Sequence, residues 1–326
     1  MSKKLIVVIL LVVIFLAILS LCCFVVYLVA SLSTGGYFSG VDRRTVSVGS
    51  ADQTVAIIDI DEVISSTGVT DFWGNETADM ATRVNNRIQA AIDDENIKGV
   101  IFRVNTPGGE VYATRRIYNK IKELKDNGKY VVVLMEDVAA SGGYYISAPA
   151  DKIVASEMTL TGSIGVLFTT IDVSGLYDKV GIKEIIVVNS KGDLKVLEDL
   201  DKKDSKAYKL LQAVADDFYQ NFVDAVAEGR GLSDTKVKEL GDGRVYSGKQ
   251  AVANGLVDEL GEFSEAVTAM NDLAGFDDPN LIILEDQEGS FSGFGASLGN
   301  LINPLASVLG SEQPASKITA MYVLQY

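Results

Sequence analysis

The sequence predicts an α/β domain with a largely parallel sheet, carried behind one apolar segment long enough to cross a membrane. Three observations lead there: an uncharged run from Leu5 to Leu32, short β-rich runs alternating with stretches of helical period, and glycine-bearing turns directly after the most apolar runs. The 326 residues suit one large domain or two small ones, and either buries a full core.

The first run, Leu5 to Leu32, holds roughly 28 residues, or about 42 Å as a helix, against a hydrocarbon core of about 30 Å. Lys3 and Lys4 precede it and no charge follows until Asp42. The positive-inside rule then predicts a single-pass cell-membrane protein with a cytoplasmic N-terminus and an extracytoplasmic domain. The run is about twice the length of a signal-peptide apolar region and no A-x-A site closes it, which favours a retained anchor over a cleaved leader. Cys22 and Cys23, the only cysteines, lie inside it, so the rest of the chain has neither a disulfide framework nor a cysteine zinc cluster. Ser33 to Gln53, with Gly35, Gly36, Gly40 and Gly49, reads as a linker.

Val55 to Ile60 is the first predicted strand. Met80, Val84, Ile88, Ala91 and Ile92 recur at helical spacing, and Gly99 to Val104 is a second buried strand. A helix follows with Val111, Ile117, Ile121 and Leu124 on one face and Asn127-Gly128 as its stop. Further strands are predicted at Tyr130–Met135, Lys152–Ala155, Ile164–Phe168 and Ile185–Val188, with a short helix near Leu176. Helices are predicted at Asp201–Glu228, Ser233–Leu240 and Phe263–Leu273. Beyond Asn280 the chain reads as an appendage, rich in glycine and serine from Gly289 to Gly299.

Composition excludes several functions. With 44 acidic and 29 basic residues the net charge is −15, the wrong sign for a phosphate-binding surface, so no nucleic-acid partner is expected. Histidine is absent, which removes Ser-His-Asp and Cys-His sites, HExxH zinc centres and histidine-ligated catalytic metals. No metal or organic cofactor is required.

Two turns could carry chemistry. Asn105-Thr106-Pro107-Gly108-Gly109 reads either as an ordinary strand-to-helix turn or as an anion site whose backbone N–H groups face a ligand. In Ala139-Ala140-Ser141-Gly142-Gly143-Tyr144-Tyr145, Ser141 is either a helix N-cap or an accessible nucleophile with the Gly142 N–H placed to stabilise an oxyanion. Without histidine, a serine nucleophile must take its base from lysine, a carboxylate or the α-amino group. A lysine must be neutral to serve, a shift of some 3 pH units or about 4 kcal/mol, which demands a water-poor cleft.

The ordered series Arg103 to Gly109, Met135 to Tyr145, Leu160 to Val166, Gly243 to Ala251 and Gly255 to Gly261 resembles the signal peptide peptidase A family of membrane-anchored serine proteases, over roughly Val55 to Leu273. The resemblance implies a Clp-protease/crotonase-like fold of repeated β-β-α units and a Ser-Lys dyad. Ser141 matches the nucleophile, Ser163 the serine that hydrogen-bonds the lysine, and Lys195 in Gly192-Asp193-Leu194-Lys195 the general base, with Lys191 the neighbouring candidate. Gly142 with Gly108 or Gly109 would form the oxyanion hole. The implied organisation is a cytoplasmic tip and transmembrane anchor over 1–32, a linker over 33–53, a peptidase domain over 54–275 and a C-terminal extension over 276–326. The implied function is endopeptidase cleavage of signal-peptide remnants and other unfolded chains by a homo-oligomeric ring or dome held at the membrane by its N-terminal helix. A non-catalytic, membrane-anchored scaffold or chaperone of the same fold is the alternative.

Three further motifs read as structure. Gly243 to Gln250 nearly forms a phosphate-binding loop but has Gln250 where the magnesium-binding hydroxyl belongs, and Ser233-Asp234-Thr235-Lys236 lacks the partner elements of penicillin-binding enzymes, so Ser233 reads as a cap. Asp93-Asp94 and Asp216-Asp217 read as solvated helix faces. The tail from Ala315 to Tyr326 alternates small or polar with apolar residues, the pattern of an extended ligand for a substrate cleft or of a frayed end.

Overall fold

The computed structural model describes residues 41–68, 77–183, 185, 199–286 and 319–323. The apolar run Leu5–Leu32 lies outside them, and among the described residues no helix is long and apolar enough to cross a membrane. The strand predicted at Ile185–Val188 and the glycine-rich stretch also fall outside, apart from Ile185.

In chain order the strands are β1 (Val41–Ser47), β2 (Ser50–Ile60), β3 (Ile97–Thr106), β4 (Gly108–Glu110), β5 (Tyr130–Ala140), β6 (Lys152–Ala155), β7 (Leu160–Gly162), β8 (Leu167–Thr169), β9 (Val245–Ser247), β10 (Glu259–Leu260), β11 (Pro279–Asp286) and β12 (Thr319–Val323). The helices are α1 (Met80–Asp93), α2 (Val111–Asp126), α3 (Gly142–Ser147), α4 (Ser174–Val180), α5 (Lys206–Arg230), α6 (Asp234–Leu240), α7 (Gly248–Ala253) and α8 (Phe263–Ala274).

The main sheet has the order β1-β11-β2-β3-β5-β6-β10, with β7 on the far end of β5 and β9 beside β7. From β11 to β10 every neighbouring pair is parallel, and β1 closes one edge antiparallel to β11. The strands alternate between two apolar layers because successive side chains point to opposite faces. Val55, Ile57, Ile101, Val132, Leu134 and Val154 meet Ala266, Ala269 and Met270 of α8. Ala56, Ile58, Val100, Phe102, Val131 and Val133 face the other way, in the larger core with α1, α2, α3 and the C-terminal half of α5.

Local chemistry sets the helix boundaries. The Asp79 carboxylate accepts from Thr82 N at 2.8 Å to start α1. Ser205 accepts from Tyr208 N at 3.0 Å, so the long helix begins at Lys206 rather than at Asp201. Ser233 caps α6 as predicted, accepting from Lys236 N, and Gln250 closes a capping box with Ser247 at the start of α7.

Three sequence expectations differ from the structure. Part of the expected linker is ordered as β1 and the first residues of β2. The segment read as an appendage begins with β11, which enters the main sheet between β1 and β2 through its Leu281-Ile282-Ile283-Leu284 core. Of the strand expected over Ile164–Phe168 only Leu167 and Phe168 are strand, in β8; the preceding strand, β7, ends at Gly162, before Ser163 with its left-handed φ of 50°, and had not been expected.

Gly229 brings the end of α5 onto α3: a Cβ there would stand 2.1 Å from Ala148 O and 2.6 Å from Ala148 C, both backbone. Gly229→Ala should therefore cost about 1–3 kcal/mol of stability, read as a lowered urea midpoint at unchanged slope.

Candidate active site

The site forms where β3, β5 and β7 end together. β3 and β5 pair in register to Val104 opposite Met135, then, across a bulge that gives β5 two extra residues, Thr106 opposite Ala139, and β5 and β7 pair to Ala140 opposite Gly162. Three turns thus leave the sheet at one place: the Asn105–Gly109 turn, the Ser141 turn into α3, and the Gly162-Ser163 turn. Asn105 ties two of them, its Oδ1 accepting from Val138 N at 3.1 Å.

Ser141 is buried, with φ 53° and ψ −113°, a conformation that costs a non-glycine residue on the order of 1–3 kcal/mol. The surroundings hold it there. Its N–H donates to Gly162 O at 2.8 Å, and its C=O accepts from Tyr145 N at 2.8 Å. It occupies the position before α3, yet its side chain makes no capping bond, so the hydroxyl is uncommitted to the helix. Ser163, directly after the acceptor of the Ser141 N–H, is also buried and left-handed, and its N–H donates to Arg244 O at 2.8 Å.

The glycine turn packs against the residue after Ser141. A Cβ on Gly142 would stand 2.9 Å from Thr114 Oγ1 and 3.1 Å from both Gly108 Cα and Gly109 N, so only glycine lets the two turns meet this closely. Gly109 in turn lies against Ile64, where a Cβ would fall 1.9 Å from the Ile64 carbonyl oxygen. The backbone bonds Ile64 N to Gly108 O and Glu110 N to Ile64 O, each 2.8 Å, fix that contact. Thr106 Oγ1 donates to Glu62 O at 2.6 Å and accepts from Gly108 N at 3.2 Å. The Gly108 N–H is therefore engaged within its own turn.

Behind the site, α3 is anchored by the two tyrosines of the serine motif. Tyr144 OH donates to Leu256 O at 2.9 Å, and Tyr145 packs edge-on between Tyr118 and Phe222, with ring centroids 5.0 and 4.9 Å away. Beside the site, Arg103 holds Asp59 through two hydrogen bonds. Burial, opposed by Arg103 and aided by Asp59, Asp137 and Asp61, pushes the Glu136 carboxyl above its ordinary range.

Of the residues predicted from sequence, Ser141, Ser163, Gly108, Gly109 and Gly142 are brought together. Lys195 and Lys191 lie outside the described residues. Sequence reasoning passed over Thr106 as a clamp, Thr114 behind Gly142, and Ile64, which no motif marks. Among the described residues no group of carboxylates or thiols is placed to hold a metal ion.

Comparison with known proteins identifies the family. The model of peptidase family S49 matches residues 123–277, and that of the Clp protease family residues 52–159. A relative from Enterococcus faecium that carries the signal peptide peptidase SppA name is 33% identical over 264 residues, covering 80% of this chain and 75% of the relative. The chain belongs to peptidase family S49. The S49 chain is also 39% identical to Protease 4 of Haemophilus influenzae and 35% identical to the chloroplastic serine protease SPPA of Arabidopsis thaliana. Those alignments cover 57% and 71% of this chain but only 30% and 34% of these longer relatives. This S49 protein is thus a serine peptidase, and its parallel sheet with the glycine and serine turns at one end is a Clp-protease-like α/β fold.

Two outcomes follow for the S49 site. Gly142→Ala should push the glycine turn away from the residue after Ser141 and cost about 1–3 kcal/mol of stability, read as a lowered urea midpoint. Glu136 binds its proton more tightly folded than unfolded, so it adds stability below about pH 4 that is lost as pH rises through its raised value. Glu136→Gln should therefore match the parent at pH 4 and exceed it at pH 7 in urea midpoint.

Proposed function

We propose that this S49 serine peptidase is a membrane-anchored endopeptidase that works with a Ser-Lys dyad on apolar, extended polypeptides outside the cytoplasm, signal-peptide remnants among them. The observation that carries the reading is Ser141: a buried serine in a strained conformation, its hydroxyl free of the helix cap, pressed against a glycine turn in a chain with no histidine. In the proposed reaction neutral Lys195 Nζ takes the Ser141 Oγ proton as Oγ bonds to the scissile carbonyl carbon. The carbonyl electrons move onto oxygen, facing the N–H of Gly142 and, because the Gly108 N–H is engaged by Thr106, that of Gly109. Collapse breaks the C–N bond as Lys195 returns the proton to the leaving amine. Water, deprotonated by the same lysine, then hydrolyses the acyl-enzyme. Ser163, one residue beyond the acceptor of the Ser141 N–H, is the partner assigned to orient the lysine.

The anchor reading is supported by the Leu5–Leu32 run and by Lys3 and Lys4 before it. The signal-peptide class is supported by the name of the Enterococcus faecium relative. A homo-oligomer is supported by the stretch that precedes the lysine segment: α4 has no buried residue, and Ile171, Leu176, Val180, Ile182 and Ile185 are all more than half exposed. An apolar strip of that kind is what a second copy would cover.

Hydrolysis of a fluorogenic apolar peptide tests the mechanism. Ser141→Ala and Lys195→Ala should each lower kcat by about 10³-fold or more, and kcat/KM of the parent should rise with pH as the lysine loses its proton. Activity that survives Ser141→Ala overturns the serine mechanism, and survival of Lys195→Ala with loss in Lys191→Ala moves the base to Lys191.

A further inference from the structure

Thr114 is a polar residue in an apolar row. The buried face of α2 carries Ala113, Ile117, Tyr118, Ile121 and Leu124, and Thr114 sits among them fully buried. A threonine inside a helix ordinarily returns its hydroxyl to the carbonyl three or four residues back. Thr114 does not, and among the described residues its Oγ1 has no hydrogen-bond partner. The hydroxyl faces the candidate site instead. The point that a Cβ on Gly142 would occupy lies 2.9 Å from Thr114 Oγ1 and 3.1 Å from Gly109 N, so the hydroxyl and the Gly109 amide converge on one side of the residue that follows Ser141.

An unpaired hydroxyl in this place is unfavourable. Burying it without a partner costs free energy that a valine, of nearly the same shape, would not. Valine would also continue the apolar row, so packing gives no reason for the hydroxyl. Its proton is free for an acceptor that comes from outside the chain. The acceptor that reaches the Gly142 and Gly109 amides, on the reading of Ser141 as nucleophile, is the carbonyl oxygen of the scissile peptide. A donor with no partner in the free chain acts most strongly there, because its bond forms where charge develops.

We infer that the Thr114 hydroxyl is a third donor of the oxyanion hole, a catalytic residue beside the N–H groups of Gly142 and Gly109. The inference rests on the reading of Ser141 as nucleophile and deepens it. As Ser141 Oγ bonds to the carbonyl carbon, the π electrons of the carbonyl move onto its oxygen, and the Thr114 O–H donates to that oxygen while keeping its proton. When the intermediate collapses, the electron pair re-forms C=O, the C–N bond breaks and the hydroxyl is released unchanged. The same geometry accounts for the glycine after Ser141, since a Cβ there would stand between the hydroxyl and the Gly109 amide. The free chain is less stable than it could be, as expected where activity and stability make opposite demands on one residue.

Replacing the hydroxyl by its isostere separates chemistry from packing. In the full chain Thr114→Val should lower kcat for a fluorogenic apolar peptide about 10²-fold at nearly constant KM, while raising the urea midpoint. Thr114→Ser, which keeps the hydroxyl, should recover most of that loss. A second readout follows the oxyanion without turnover. A peptide aldehyde of the same sequence adds Ser141 Oγ to its carbonyl carbon and places an oxygen where the intermediate has one, so Thr114→Val should weaken its binding by about the factor lost from kcat. Unchanged kcat in Thr114→Val overturns the inference. So does a fall in kcat that comes with a lowered urea midpoint and is shared by Thr114→Ser, which would mark a packing role, or a raised KM at constant kcat, which would mark a substrate pocket. Absence of hydrolysis by the parent, or activity surviving Ser141→Ala, would overturn the serine reading instead, so the two failures are distinct.

Discussion

The pairing of β5 with two of its parallel neighbours, β3 and β7, is the constraint from which the candidate site follows. β5 ends level with β3 on one side and with β7 on the other, so three turns emerge at one point and each limits the others. The Ser141 N–H bond to Gly162 O belongs to that register, and so does the left-handed backbone it enforces. A one-residue slip of any of the three strands would invert every side chain on it between the two apolar layers, so the cores above and below the sheet hold the geometry of the turns. Strain at Ser141 is thereby maintained by burial far from it.

Close packing adds a second level of control. The Gly108-Gly109 turn is clamped from the far side by Ile64 and from within by Thr106, and it abuts Gly142 with no room for a methyl group. Backbone amides held in this way are already oriented before a ligand arrives, the condition under which hydrogen-bond donors act most strongly on developing charge. Along its edge β4 also pairs antiparallel with β12.

Much of this was legible in the sequence, for reasons of range. Buried parallel strands are continuous apolar runs, and Val55–Ile60, Gly99–Val104 and Tyr130–Met135 announce themselves as such. The cap at Ser233 follows from a three-residue spacing. Reading failed where partners are distant. β11 has an apolar Leu-Ile-Ile-Leu core, but its place between β1 and β2 joins segments more than two hundred residues apart. The boundary between β7 and β8 depends on a serine in a conformation that serine rarely adopts, held by contacts with Arg244.

By itself the sequence determined which chemistry is possible: the absence of histidine, the serine and glycine turns after apolar strands, and the acidic surface are properties of residue type and short spacing, which folding does not alter. The tertiary structure decided what those residues face. It placed Ser141 beside Ser163 and the glycine turn, engaged the N–H of Gly108 with Thr106, and laid Thr319–Val323 against β4. These are contacts between chain segments tens to hundreds of residues apart, settled by strand register and by whether a methyl group fits. Neither is encoded in any local pattern.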